Sequence, residues 1–429
     1  MIYENWLYTG SLQIKSVYCN PLRENLKVEC LVLGGGFAGL HAALRLADAG
    51  KKVVLIEKRI CGGSSSGQSG GFLTPESEED MQNLIASVGM EEAKKIYDIP
   101  LTGVSLIVDT IKKNSFNCDL RKQDSLYLSI KKSHDSLITE EAETRKEMGL
   151  PYEVLDSKGL KKFHPGKSYR VGLKYPGSYG INSFAYTQEM KNLLLKKGVR
   201  IFEDSEVHRM EGNTAFTHLG SVTAKNIFIC IDKMRSEFNE EVSKKYYHIQ
   251  TYVAISEPLS ESEIKAIYPQ GEMMCWDSRW TYSYYRPVAD GRLLLGGSSP
   301  FTSYLANFRY SPHVINRTIS ELKNNFPPLS DVKFSNYWSG LIDVTKDLVP
   351  IADDDSTSRS IYYALGCAGL PWAAFCGDYI ARRALNPSKT EDLSKYLGMR
   401  RKYFVPDFVQ RLFGKKVAFA VNHFREMLK

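Results

Sequence analysis

Residues 28–33 form a short apolar run that leads directly into Gly34-Gly35-Gly36-Phe37-Ala38-Gly39. Apolar residues at helical spacing follow from His41 to Ala49, Gly50 stops them, and a second apolar run, residues 53–56, ends in Glu57. This pattern predicts strand, tight turn, helix and strand, a βαβ unit. Helical periodicity returns over residues 76–113, 135–148 and 187–197, the last stopped by Gly198. Strands are expected at 124–130, from Arg200 towards Val207, and at 226–231. Between Tyr246 and Tyr310 the chain becomes rich in Tyr and Trp, and residues 280–285 and 292–297 flank Ala289-Asp290-Gly291 as a hairpin. Residues 361–365 read as a strand, and Pro371 opens a helix that runs to about Leu385.

These elements imply an α/β chain, α+β overall. A Rossmann-type nucleotide-binding domain is expected from discontinuous segments, 1–115, 185–245 and 335–390. A mainly antiparallel sheet domain for substrate is inserted between them, 116–184 and 246–334. A length of 429 residues, 43% hydrophobic and 24% charged, allows two domains sharing one cleft. Of the net charge of +7, six units fall in residues 400–429, where eight basic residues face only Asp407 and Glu426. The body is therefore near neutral, and nucleic acid is not an expected partner. Residues 391–429 read as a basic helical extension with two apolar stripes, Val405, Phe408, Val409 and Leu412, then Val417, Ala420, Val421, Phe424, Met427 and Leu428. Residues 403–429 are expected to pack on the body or a second subunit, or to make weak contact with a membrane surface. With no long uncharged apolar run and no apolar leader, the expected location is the cytoplasm, with the tail allowing peripheral contact at the inner membrane surface. Eight cysteines without a C-x-x-C pair, and no His/Cys set at ligand spacing, predict free thiols and no metal.

Gly34-x-Gly36-x-x-Gly39 is weak evidence alone, and its setting between strand and helix strengthens it. Such a turn brings backbone and a helix N-terminus against a pyrophosphate, while Glu57, 23 residues after Gly34, stands where an acid accepts ribose hydroxyls. Cys61-Gly62-Gly63-Ser64-Ser65-Ser66-Gly67-Gln68-Ser69-Gly70-Gly71-Phe72 follows at once. A nicotinamide domain has no need of such a loop, whereas a broad planar ring lying on backbone needs its donors and its lack of side chains.

At these residues the chain resembles the D-amino-acid-oxidase-like (DAO) superfamily of FAD-dependent oxidoreductases. The loop 65–71 is similar to the "ASGRNGG" signature of its gamma-glutamylputrescine oxidoreductase-like branch, with Gln68 and Ser69 in place of Arg and Asn. Tyr285-Arg286, Asp290-Gly291-Arg292, Gly296-Gly297, Trp338-Ser339-Gly340, Asp347-x-x-Pro350 and Gly366-Cys367-Ala368-Gly369 agree with the superfamily, and the resemblance covers about residues 28–385. It implies FAD held by Gly34, Gly36, Phe37, Ala38, Gly39, Glu57, Lys58, Ser65, Ser66, Gly67, Gln68, Ser69, Gly70, Val207, Gly340, Gly366, Gly369 and Leu370. The attachment is expected to be non-covalent, because Gln68 and Trp338-Ser339 stand where some relatives carry a linking His or Cys. The helix after Gly369 is expected to meet the flavin edge that collects negative charge on reduction.

The implied activity is oxidation of a C–N bond in a small-molecule amine or N-substituted amino compound by hydride transfer to the flavin, with the electron acceptor open. Arg286 and Tyr284 are the candidate catalytic residues, and the aromatic cluster of Trp276, Trp280, Tyr282, Tyr284 and Tyr285 either fills the sheet core or walls the substrate cavity. Ile342 stands where amino-acid-oxidising members carry a carboxylate-binding arginine, which disfavours free α-amino acids unless Arg286 supplies that anchor. The alternatives are a dehydrogenase of a hydroxy acid or polyol phosphate, and a flavin-binding redox protein without turnover.

Overall fold

The computed structural model describes residues 12, 14, 16–76, 81–234, 238–279, 281–299, 311–345, 347–355, 358 and 360–401, and the backbone of a strand at Tyr3–Glu4. The apolar runs and the glycine turn form the expected unit: strand Asn25–Leu33, helix Phe37–Asp48 and strand Val53–Ile56. Around it a parallel sheet runs in the order Arg200–Phe202, Val53–Ile56, Asn25–Leu33, Ser221–Ile229, Ile361–Leu365. Ile351–Asp354 pairs antiparallel with the last of these. Three separated stretches of chain thus build one sheet with the helical layer that doubly wound folds require.

Among the described residues the second sheet has nine strands and is mainly antiparallel. Its longest strands, Tyr246–Ser256 and Phe334–Thr345, pair along almost their whole length. Phe334–Thr345 therefore belongs to this sheet, although residues 335–345 were expected with the nucleotide-binding segments. The hairpin forms as Tyr284–Pro287 and Leu293–Ser298. Helix Pro312–Asn325 covers one face, where Tyr252, Tyr285 and Leu295 join Val314, Ile315, Ile319 and Leu322 in a core. The other face is turned to the first sheet.

Two differences from the periodicity have local causes. The helical text of 76–113 is two helices, Met81–Val88 and Met90–Asn114, because Gly89 takes φ +86° between them. The helix expected at 187 begins earlier, as Ser183–Lys196, because the Asn182 side chain caps it by accepting from Ala185 N. The basic tail from residue 402 lies outside the described residues.

Helices Phe37–Asp48 and Leu370–Leu385 pack so closely that a side chain on Gly377 would collide with the Ala38 carbonyl. Gly103 of the helix Met90–Asn114 meets the Pro371 carbonyl in the same way. Asp378, buried at this contact, accepts from Arg45 at 2.6 Å and Arg382 at 2.7 Å. Gly377→Val should force these helices apart. We expect a loss of about 3 kcal/mol of unfolding free energy, read by urea titration, with weaker flavin retention; unchanged stability would contradict the packing described.

Candidate active site

A cavity of about 1460 Å³ lies between the two sheets. At one end the helix Phe37–Asp48 starts from Gly36, which offers no side-chain cap, and the first N–H groups of any helix have no partner within it. Gly34 at φ +105° makes the turn, and Gly39 packs so tightly on the Gly34 carbonyl that no side chain fits there. Gly36 is open to the cavity, where a Cβ would stand 2.9 Å from Ser66 Oγ. Ser66 Oγ accepts from Phe37 N at 3.1 Å, so the serine loop closes over the helix start. The second helix N-terminus, at Leu370, follows Gly369 at φ +100° with Pro371 in its first turn and also lines the cavity. Two positive helix ends thus face one space.

Glu57 ends its strand with its carboxylate on Gly35 N at 2.7 Å and Arg59 N at 3.0 Å. Burial pushes its pKa up, against the pull of those N–H groups. The start of the Gly/Ser loop is anchored by a buried ion pair that composition did not reveal. Glu203 accepts from Cys61 N at 2.7 Å and Cys19 N at 2.9 Å, and pairs with Lys191 at 3.0 Å.

A second strand end opens on the same wall. Ile229 pairs with Leu33, so Cys230, Ile231, Asp232 and Lys233 emerge beside Gly34 and line the cavity. Asp232 bonds Ser65 Oγ, and its carboxyl is open to the cavity although protein surrounds it. That environment, then the nearby Asp343 and Glu57 carboxylates, raise its pKa to about 6, with Lys233 and His248 opposing. Asp343 accepts from His248 Nδ1 at 2.6 Å and from Lys233 N at 2.5 Å. The sequence signal for this group was positional: residues just past a parallel strand lie at the site edge of such sheets.

The other wall is the face of the antiparallel sheet, and its register names the residues. Trp338, Val253, Gly296 and Tyr284 are neighbours across four strands, followed by Gly340, Thr251 and Ser298, then Ile342 and Ile249. The Tyr284 ring covers Gly296 and meets Phe72 edge-on at 5.2 Å, and Tyr282 lies 6.0 Å from it. Trp338 Nε1 donates to the Gln68 carbonyl at 2.8 Å, tying this wall to the Gly/Ser loop. Tyr127, Trp276, Lys131, His134, Glu140 and Glu141 continue the cavity away from that loop.

Most residues expected to hold the cofactor are brought together here: Gly34, Gly36, Phe37, Ala38, Glu57, Lys58, Ser65, Ser66, Gln68, Ser69, Gly70, Val207, Gly340, Gly366, Gly369 and Leu370 all line the cavity. Gly39 and Gly67 stand behind the wall, Gly67 against the Gly62 carbonyl. Of the two candidate catalytic residues, Tyr284 lines the cavity and Arg286 does not. Arg286 is 1% exposed and spends its guanidinium on the carbonyls of Gly70 at 2.8 Å, Ile181 at 2.5 Å and Pro287 at 3.3 Å. It shares the sheet face of Tyr284, one row further on, but the segment at Gly70–Phe72 covers that row. Trp280 lies outside the described residues, and Tyr285 faces the opposite core.

The model of the DAO family, FAD dependent oxidoreductase, matches residues 29–383. The chain belongs to this family. A probable oxidoreductase OrdL of Haemophilus influenzae is 29% identical over 392 residues, covering 89% of this chain and 88% of its own. The gamma-glutamylputrescine oxidoreductase of Escherichia coli is 27% identical over 355 residues, 82% and 81% of the two chains. In fold, glycine oxidase from Geobacillus kaustophilus superposes with a TM-score of 0.77 at 16% identity, over 88% of this chain and all (100%) of that one. The family is one of FAD-dependent enzymes, and the glycine cradle, two helix starts, Glu57 and the Gly/Ser loop fit FAD as the cofactor. Among the described residues no helix is long and apolar enough to cross a membrane.

Two outcomes follow from this geometry. Arg286→Met should strand the Gly70 and Ile181 carbonyls and cost about 2–4 kcal/mol of stability in chemical denaturation, with the ranking of amine substrates unchanged; an altered ranking would return Arg286 to the substrate site. FAD carries an anionic diphosphate, so its binding should favour protonated Asp232 and take up a proton. Affinity of the flavin-stripped protein for FAD should then fall as pH rises above about 6, by up to about tenfold per pH unit, and Asp232→Asn should flatten that slope. Equal slopes in fluorescence titrations of the two proteins would count against this.

Proposed function

We propose that the protein oxidises a C–N bond of an amine or N-substituted amino compound, giving an imine that water then hydrolyses. Bound FAD supplies the hydride acceptor. The observation that carries this reading is the uncharged sheet face. From Trp338 to Ile342 and from Ile249 to Val253, its cavity-lining rows present rings, aliphatic groups, a threonine and a serine. A carboxylate or phosphate held there would lack a partner, which costs several kcal/mol, or about two decades or more in specificity. Among the described residues the one lining arginine near the aromatic cluster, Arg279, is engaged by Asp277 at 2.6 Å and Glu321 at 2.5 Å. Arg286 is engaged by carbonyls, as above.

The chain's own contribution is orientation and exclusion of water. Tyr284, Tyr282 and Trp338 present ring faces and edges to a substrate, and rings suit a neutral amine as well as a cation. Lys131, His134, Glu140 and Glu141 give the far part of the cavity a polar lining, which suits a substrate longer than glycine. The positive N-terminus of Leu370–Leu385 would stabilise negative charge on a reduced flavin held there. The naming of the E. coli relative as a gamma-glutamylputrescine oxidoreductase supports an N-substituted amine of this kind. We further read the FAD as non-covalent: Gln68 and Ser339 bring no linking nucleophile, and Cys367, which lines the cavity, has its thiol pKa raised by its Cys376 contact and by burial.

Anaerobic flavin bleaching tests the reading. Putrescine or an acylated diamine should reduce the flavin at least about a hundredfold faster than glycine, sarcosine, D-alanine or lactate. Ile342→Arg should narrow that gap by restoring a carboxylate partner. Fast reduction by free α-amino acids or hydroxy acids in the native protein would sink the proposal.

A further inference from the structure

The wall beneath the glycine turn is too acidic for the ligand that has to lie on it. Glu57, Asp232 and Asp343 all line the cavity there. A dinucleotide brings a diphosphate to that place, and two helix starts supply only about half a positive charge each. The two cations that follow Glu57, Lys58 and Arg59, sit at the ribose end, and Lys58 is drawn to Glu206 at 2.9 Å.

We propose that Lys233 is the cation that holds the diphosphate of FAD, kept in place by a backbone conformation that only its neighbours make tenable. Three observations converge on it. It follows the strand Ser221–Ile229, whose end is in register with Leu33, and the Cys230 carbonyl lies directly against Gly34. The carboxyl end of adjacent parallel strands is where phosphates bind in this class of sheet. Second, Lys233 takes φ +55°, a left-handed conformation that costs any residue with a Cβ. It is pinned there from the other sheet, because its N–H donates to Asp343, whose second oxygen holds His248. Third, its ammonium lies 3.3 Å from Ser64 Oγ, on the loop whose Ser66 closes over the helix start. Among the described residues no carboxylate lies within ion-pair distance of that ammonium. Asp343 is occupied by His248 and the backbone, and Asp232 by Ser65. A compact charge on a flexible stem, resting on a neutral hydroxyl at the edge of the cradle, is suited to meet a phosphate.

The same geometry separates this role from a structural one, since glycine at 233 removes the backbone strain together with the charge. In the full chain stripped of flavin, Lys233→Gly should melt no lower than the native protein, yet bind FAD at least tenfold more weakly. Lys233→Met should weaken FAD and ADP by the same factor, lower the salt dependence of binding, and leave adenosine affinity unchanged, and Lys233→Arg should restore most of the loss. FAD affinity within twofold of native in both Lys233→Gly and Lys233→Met would overturn the proposal. So would an equal loss for adenosine and ADP, which would mark a general disturbance of the cradle.

Discussion

The contact between the helices Phe37–Asp48 and Leu370–Leu385 constrains everything else. Their starts come from positions more than 300 residues apart, yet Gly377 rests on the Ala38 carbonyl and Asp378 is shared by Arg45 and Arg382. Fixing these two helices side by side points both positive ends into one cavity. Like ends brought together repel, and an anionic or electron-rich ligand relieves that repulsion. The parallel sheet delivers the helix starts through Leu33 and Leu365, and the glycines at 34, 36, 366 and 369 let the backbone come close enough to use them.

The antiparallel sheet solves a different problem. It must present a water-excluding face opposite those helix ends, and its register does so by aligning Trp338, Val253, Gly296 and Tyr284 across four strands. Arg286 shows how the two sheets are joined. Its guanidinium binds carbonyls of the Gly/Ser loop and of the segment before helix Ser183–Lys196, with burial lowering its pKa to about 10. A cation on the same sheet face as Tyr284 is spent on holding the loop. Trp338 makes the reciprocal contact from the far strand, through Gln68.

What could be read in advance follows from the range of the forces. The glycine turn, the helix stop at Gly50, the hairpin at Asp290-Gly291 and the helix start at Pro371 are local events, and each stands where the sequence places it. In strand Tyr284–Pro287 the residues Tyr284 and Arg286 share one face, but a face is not a depth. Which row of that face is open depends on Gly70–Phe72, more than two hundred residues away, and so Arg286 was misplaced. Asp232, Lys233 and Asp343 escaped for the same reason: only the pairing of Ile229 with Leu33, and of the two sheets, brings them to the cradle. Glu203 is a further case, since a buried glutamate is visible only once Lys191 and two backbone N–H groups surround it.

The two walls of the cavity divide its electrostatics. One holds Glu57, Asp232, Lys233 and two helix ends, and Asp343 reaches it from the end of a strand of the other sheet, so its interaction with a ligand depends on charge and salt. Opposite, the rows from Trp338 to Ile342 and from Ile249 to Val253 are uncharged, so they discriminate by shape, ring contacts and the cost of stranding an ion. A protonated amine can lie against Tyr284 and Trp338 at modest cost, because ring faces compensate a cation in part and do nothing for a carboxylate. In the reaction we propose, the amine releases a hydride from the adjacent carbon, which the free base does more readily than the ammonium ion. An aromatic lining without a fixed carboxylate to hold the proton on nitrogen leaves the amine able to lose it and reach the reactive form. Charge complementarity can then be used where it does not oppose the chemistry, on the cofactor's phosphates and at the polar far end near Glu140 and Glu141.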